Sequence, residues 1–277
     1  MPLDSEMEEF LRLVRAIEPV LNHVVVVGGW AHRMYRLDER AQQVKHAALM
    51  TLDADIAIPE RLSPSEQDIR MRLLDAGFRE LLLGDYNPPV SQYSLGDEHG
   101  GGFYVEFLAP LTGSRYKRGG KLDLTVRVAG VTAQKLRHLE LLLIAPWSVK
   151  LEASDKDVRI ANPASYLAQK LLIHHQREPA DQAKDVLYIH DTIELFAPSL
   201  HEIRADRREK IAPELRPNVV REVTTATSEV FGKLNDDIRG AAEIAKSVGR
   251  PLSAERLLQV CQLGLADVFG GEVAAGG

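Results

Sequence analysis

Cysteine is almost missing from this chain: Cys261 stands alone among 277 residues. One thiol cannot close an internal disulfide, and by itself it builds neither a zinc site nor a metal cluster. Its neighbours form a helix-like apolar stretch, so it reads as a core residue, a common place for free cysteine. Long apolar runs are missing too. No window approaches the roughly eighteen uninterrupted apolar residues of a membrane span, and no membrane partner is expected. The opening MPLDSEMEEF lacks the basic start and apolar core of a signal peptide, which points to the cytoplasm. Positive charge is in deficit, with 34 Lys and Arg against 40 Asp and Glu and a net charge of -6. That balance argues against non-specific duplex binding through a broad basic face, though not against a local basic groove. The composition, 45% hydrophobic and 27% charged, suits one large globular domain or two medium ones.

Apolar positions Phe10, Leu11, Val14, Ile17 and Val20 have the spacing of an amphipathic helix. The run Val24 to Val27 is β-branched and reads as a buried strand ending at Gly28-Gly29, with a short helix from Trp30 to Arg36. Residues 51–58 alternate apolar and acidic side chains, as a half-exposed strand does, and Pro59 closes it. Ser63, Pro64 and Glu66 form a helix-start signature for a helix running to Gly77. Further strands are expected at 78–83, 103–108, 122–128, 147–151 and 157–160. A loop is expected from Gly84 to Gly102, and a helix from Thr132 or Ala133 to Leu142. From Pro163 onward the pattern is helical, broken at Pro198, Pro213, Pro217 and Pro251. The expected division is therefore a mixed α/β domain over 1–161 and a mainly helical domain over 162–277, with 270–277 expected to be disordered.

The chemistry-bearing feature is Asp53-Ala54-Asp55. Strand residues two apart share a face, so both carboxylates project together. Adjacent negative charges repel and raise each other's pKa unless a cation sits between them. Hard carboxylate oxygens suit Mg²⁺ or Mn²⁺, which also bridge substrate phosphates; the plainer reading is a polar strand face in water. Gly28-Gly29 after a strand permits close approach of backbone to phosphate, or simply a tight turn. Glu106, in the otherwise apolar Val105-Glu106-Phe107-Leu108, supplies a third acid.

This order resembles the DNA polymerase β-like nucleotidyltransferase superfamily: an apolar residue and two glycines (Val27-Gly28-Gly29), then Asp-apolar-Asp (Asp53-Ala54-Asp55), then an acid on another strand (Glu106). More narrowly, residues 22–197 resemble bacterial nucleotidyltransferase-fold proteins of the abortive-infection group, through Thr51 to Ala57, Val105 to Pro110, and Ile160 to Lys170 with Arg177 and Lys184-Asp185. Ala54 stands where a larger apolar residue is usual, and Glu106 where aspartate is more common. The resemblance implies an α+β fold, with a nucleotidyltransferase-fold N-terminal domain whose mixed sheet is flanked by helices, and a helical C-terminal domain. It implies transfer of a nucleoside monophosphate from a nucleoside triphosphate to an acceptor hydroxyl of RNA or tRNA, a protein or a small molecule. In that reading Asp53, Asp55 and Glu106 hold Mg²⁺ or Mn²⁺, and two ions clamp the attacking and leaving oxygens. Gly28, Gly29, Arg33 and Lys184 contact the nucleotide, Lys170 meets transition-state charge, and Asp185 is a structural partner for a basic side chain. An antitoxin partner is a further implication. A second reading stays open here: a catalytically silent nucleotide- or partner-binding module on the same fold. His32 and the basic Arg115 to Lys121 segment read as solvated rather than functional positions, and the rings of adjacent His174 and His175 diverge on a helix, so no metal site is expected from that pair.

Overall fold

The computed structural model describes residues 5–49, 51–62, 68–96, 102–116 and 118–270. Its contacts divide the chain into two compact units, residues 1–37 with 48–161 and residues 38–47 with 162–277. The Ser63 to Glu66 helix start and the tail beyond Gly270 lie outside the described residues.

In the first unit, α1 (Ser5–Ala16) has acids in its first turn and buries Phe10, Leu11, Leu13 and Val14. The wholly buried β1 (Val25–Val27) runs into α2 (Gly28–Met34). Trp30 of α2 is fully buried, stacked on Phe10 with ring centroids 4.2 Å apart and edge-on to Phe103 at 5.8 Å. There follow β2 (Asp53–Ala57), α3 (Ile69–Asp75), β3 (Arg79–Leu83), β4 (Val90–Ser94), β5 (Tyr104–Pro110), β6 (Thr125–Val128), β7 (Val131–Leu136), β8 (Trp147–Leu151) and β9 (Lys156–Ile160). Asp68 caps α3, accepting from the Met71 amide at 3.2 Å.

Among the described residues these strands make one mixed sheet in the order β3-β4-β5-β2-β1-β9-β8. β1 is antiparallel to β2 and parallel to β9, while β2 is parallel to β5. The long strand β5 shares one edge between two partners: β4 takes residues Tyr104 to Glu106, and β7 takes Leu108 to Pro110. The fold class is thus the mixed α/β sheet flanked by helices that the sequence led one to expect, followed by a helical region.

Two expectations fail. The stretch from Thr132 to Leu142 is not a helix but β7 followed by a 3₁₀ helix, Leu139–Leu143. The cause is upstream. Ala129 and Gly130 both take positive φ (46° and 85°), a two-residue turn that pairs Val128 with Val131 and sends the chain back as a hairpin. The expected loop from Gly84 to Gly102 contains β4. Its polar residues hid the alternation, because their partners are distant in sequence: Ser91 Oγ accepts from the Thr132 amide at 3.0 Å, and Gln92 reaches Glu106.

The second unit contains α4 (Pro163–Ile173), α5 (Pro179–Leu195), α6 (Leu200–Asp206), α7 (Pro217–Phe231), α8 (Asp236–Ser247) and α9 (Ala254–Phe269). Buried Asn162 caps α4, accepting from the Ala164 amide at 2.9 Å while its amide donates to Asp206 at 2.8 Å. Asn235 and Ser253 cap α8 and α9. Residues 38–47 join this unit through main-chain contacts: the Gln42 amide donates to Leu195 O at 2.8 Å, and Ser199 Oγ donates to Arg40 O at 2.8 Å. A Cβ on Gly264 would stand 2.3 Å from Ile193 Cγ2, a clash, so α9 lies against α5 only because that position has no side chain. No described helix is long and apolar enough to cross a membrane.

Cys261 is fully buried on α9, and burial pushes its thiol well above the ordinary range. The folded protein should therefore leave a water-soluble alkylating reagent unconsumed, with full reaction only in denaturant. Rapid labelling of native protein, read by mass spectrometry, would contradict that placement.

Candidate functional site

The candidate site forms because β2 has two unlike faces. Ala54 and Ile56 are fully buried, so the period of two turns Asp53 and Asp55 to the other face, where both are half-buried. Pairing then extends a row across four strands: Val27 opposite Asp55, Asp55 opposite Glu106, and Glu106 opposite Gln92. A second row sets Asp53 opposite Tyr104 and Tyr104 opposite Ser94. Paired residues share a face. The three carboxylates therefore lie together at the N-terminal ends of parallel β2 and β5, beside the C-terminal end of β1. Farther along this face the row Val25, Ala57 and Leu108 is buried and apolar.

β1 delivers the two glycines to this place. Gly28 has φ of +60°, and a Cβ on it would stand 2.2 Å from Asp55 Oδ2. Conformation and space both demand glycine there.

Three further residues hold or sense the carboxylates. The Thr51 hydroxyl donates to Asp53 Oδ1. Gln92 Nε2 donates to Glu106 Oε1 at 2.8 Å. The Tyr104 phenol is pushed up to about 12, first by burial and then by the negative charges of Asp53, Glu106 and Asp55. Thr51 and Tyr104 each lie two residues before an acid of the site, so period two alone could have found them. Gln92 could be found only from the register of β4 on β5.

Of the residues expected at the site, Gly28, Gly29, Asp53, Asp55 and Glu106 come together in the first unit. Arg33 belongs to that unit too. Its guanidinium bonds Glu6 at 2.9 Å and lies over the Trp30 ring at 4.8 Å, so a phosphate would compete with those partners. Lys170 and Lys184 belong to the second unit. Lys170 is buried on α4 and pairs with Asp185 at 2.5 Å, its ammonium also within 5.1 Å of the Tyr188 ring centre and 5.5 Å of the Tyr166 ring centre. Loss of either partner of such a pair strands a buried charge, a cost of about 3–5 kcal/mol. Lys184 Nζ lies 5.7 Å from the Tyr188 ring centre, and Arg177 reaches Asp185 at 3.6 Å. His174 is buried and bonded to Asp237 at 3.0 Å. Of the basic segment, Tyr116 bridges Leu122 in a hairpin, and Lys117 lies outside the described residues.

Divalent-ion chemistry can be tested against the donors present. Asp53, Asp55 and Glu106 offer hard carboxylate oxygens beside a glycine that a Cβ would close off, a set suited to Mg²⁺ or Mn²⁺. Among the described residues, one group of three has all its ligand atoms within 4.8 Å of one another: His46, Asp191 and Glu194, in the second unit. That group already has its cation. Arg250 bonds Asp191 and Glu194 at 2.6 Å each, and His46 bonds Glu194 at 3.0 Å. The guanidinium neutralises the acids that a metal would otherwise need.

Residues 5–212 match the nucleotidyltransferase family, and the chain belongs to it. No curated protein matches the chain. Among solved structures it is similar to an antigenic nucleotidyltransferase-like protein from Paracoccidioides brasiliensis, at 16% identity and a TM-score of 0.43, over 92% of this chain and 98% of that one.

Two outcomes follow from the geometry. Gly28→Ala forces a side chain into the left-handed region and onto Asp55, and should lower stability by about 1–2 kcal/mol; an unchanged melting temperature would contradict the contact. Tyr104 should ionise near 12, and Asp53→Asn should bring its midpoint down. The folded state holds this proton more tightly than the unfolded state does, so stability is full below the ordinary tyrosine value and falls as pH rises through about 12. Ultraviolet titration of tyrosinate, with Tyr104→Phe as the blank, reads this shift. Equal midpoints with and without Asp53 would contradict it.

Proposed function

We propose that this chain is an active nucleotidyltransferase of the polymerase β-like type, moving a nucleoside monophosphate from a nucleoside triphosphate to an acceptor hydroxyl with divalent-ion assistance. The observation that carries the reading is the row Asp55, Glu106 and Gln92 beside Gly28, with Asp53 one pleat away on the same face. Family membership supports the reaction class.

In this reading Asp53 and Asp55 hold the ion that accompanies the triphosphate, and Glu106 joins them for a second. When bound, Mg²⁺ or Mn²⁺ would offset triphosphate charge and favour ionisation of the acceptor hydroxyl. Thr51 fixes one oxygen of Asp53 and Gln92 fixes one oxygen of Glu106, so less side-chain freedom is lost when substrate arrives. Gly28 and Gly29 add no side chain of their own between the triphosphate and Asp55. The acceptor oxygen attacks the α-phosphorus, the bond from that phosphorus to the β-phosphate oxygen breaks, and pyrophosphate leaves. Tyr104 stays protonated at neutral pH and adds no charge to the three acids. Arg33, in the same unit as the acids, is the cation proposed for the phosphates, shared with Glu6 and the Trp30 ring. The likeness to abortive-infection proteins adds the proposal that the acceptor is an RNA, a protein or a small molecule of the host cell and that an antitoxin partner restrains the activity.

Calorimetric titration with each nucleoside triphosphate in Mg²⁺ or Mn²⁺ should show metal-dependent binding by the wild type and none by Asp53→Asn/Asp55→Asn. Transfer of α-labelled nucleotide to the RNA, protein or small-molecule fraction of an extract should fall by roughly 10² or more in the variant, the scale on which lost electrostatic stabilisation is felt. Full activity in the variant would disprove the ion assignment. Absence of binding to every triphosphate by the wild type would favour a silent module on the same fold.

A further inference from the structure

The acid face carries an aromatic ring, that of Tyr104 at the start of β5. Tyr104 stands opposite Asp53 on β2 and opposite Ser94 on β4, in the row next to that of Asp55 and Glu106. Its phenol lies within electrostatic reach of all three acids. Other aromatics of this unit belong to the core and have partners there. Trp30 and Phe78 both lie against Phe103, and Tyr93 is edge-on to Phe107 at 6.1 Å while its hydroxyl donates to Glu80. Tyr104 differs on each count. It is half-buried, and among the described residues its ring meets no other ring and its hydroxyl has no hydrogen-bond partner. The core side of β5 is its other face, through fully buried Val105 and Phe107. The two residues that flank Tyr104 across the sheet, Asp53 and Ser94, are small. Ser94 is half-buried, and its hydroxyl also has no partner among the described residues.

We propose that Tyr104 is a stacking platform for a nucleobase, with the Ser94 hydroxyl beside it to meet the edge of the base. A ring without an aromatic partner on an open sheet face gains by stacking, since both planar surfaces leave water together. The spacing fits a nucleotide. Neighbouring strands lie about 4.8 Å apart, so Tyr104 and Asp53 are one such step from each other. In a nucleotide one sugar separates the base from its phosphate and from its 3′-hydroxyl. A base resting on Tyr104 therefore leaves its reacting group at the acids. Every base has a π-face, and a serine hydroxyl both donates and accepts, so this platform holds any base rather than selecting one. The base comes from the triphosphate or from the end of a nucleic-acid acceptor; the recognising chemistry is the same for both. This inference rests on the nucleotide-transfer reading of the three acids.

Calorimetric binding to the full chain in Mg²⁺ tests it, with wild type, Tyr104→Ala and Tyr104→Phe side by side. The probes are each nucleoside triphosphate, inorganic tripolyphosphate, a short single-stranded RNA and the same RNA made abasic at its 3′ end. Tyr104→Ala should weaken a base-bearing probe by about tenfold or more, and Tyr104→Phe should keep wild-type affinity because it keeps the ring. Tripolyphosphate and the abasic RNA should bind all three proteins alike. Loss confined to the triphosphates places the base of the triphosphate on Tyr104, and loss confined to the intact RNA places the acceptor's base there; either supports the platform. A Tyr104→Ala chain that binds every probe as the wild type does would overturn the platform and leave the nucleotide-transfer reading standing. Equal loss of triphosphate and tripolyphosphate would also overturn it, because Tyr104 would then act by supporting the acids. A wild type that binds no triphosphate would overturn both readings.

Discussion

The candidate site depends on how β2 is held between β1 and β5. Its inward residues, Ala54 and Ile56, are fully buried. A slip of one residue would bury Asp53 and Asp55 and expose that apolar pair, so the register is fixed by the cost of exchanging the faces. With the register fixed, Asp55 has Val27 on one side and Glu106 on the other. The chain leaves β1 directly into Gly28, whose missing Cβ is what leaves room for the Asp55 carboxylate. Three acids at the edge of a core repel one another. The fold tolerates them by keeping them half-buried and by giving Asp53 and Glu106 a neutral donor each, Thr51 and Gln92.

The helical unit treats buried charge differently. There acids are matched by cations in the same structure: Lys170 by Asp185, and Arg250 by Asp191 and Glu194. In the first unit Asp53 and Glu106 each accept a hydrogen bond from a neutral side chain. The second closes its own ion pairs, as a packed core with polar members must. His46, Asp191 and Glu194, with Arg250 bonded to both acids, thus form a structural network.

The two glycines that matter most act through space rather than flexibility. Gly28 admits a carboxylate and Gly264 admits Ile193. One lies beside the candidate site and the other inside the helical core, and in each case the side chain that fills the space lies far away in sequence.

Much of the arrangement is written in local pattern. The β-branched run before Gly28, the alternation through Asp53 and Asp55, the isolated acid Glu106 and the helical periodicity after Pro163 are all properties of short windows, set by the period of two in strands and 3.6 in helices. That is why strand identity, the shared face of the two aspartates and the burial of Cys261 were legible in the sequence. The hairpin turn at Ala129-Gly130 was not, because positive φ at an alanine carries no compositional signal, and so β7 looked helical. β4 was hidden because Ser91 and Gln92 are satisfied by Thr132 and Glu106, partners that local pattern does not reveal. The sequence by itself determined which residues are acidic and which of them share a strand face. Only tertiary structure decided that Glu106 pairs with Asp55, that Gln92 holds Glu106, and that residues 38–47 pack with the helices, because strand register and long-range contact are settled by the burial of whole faces rather than by any local run of residues.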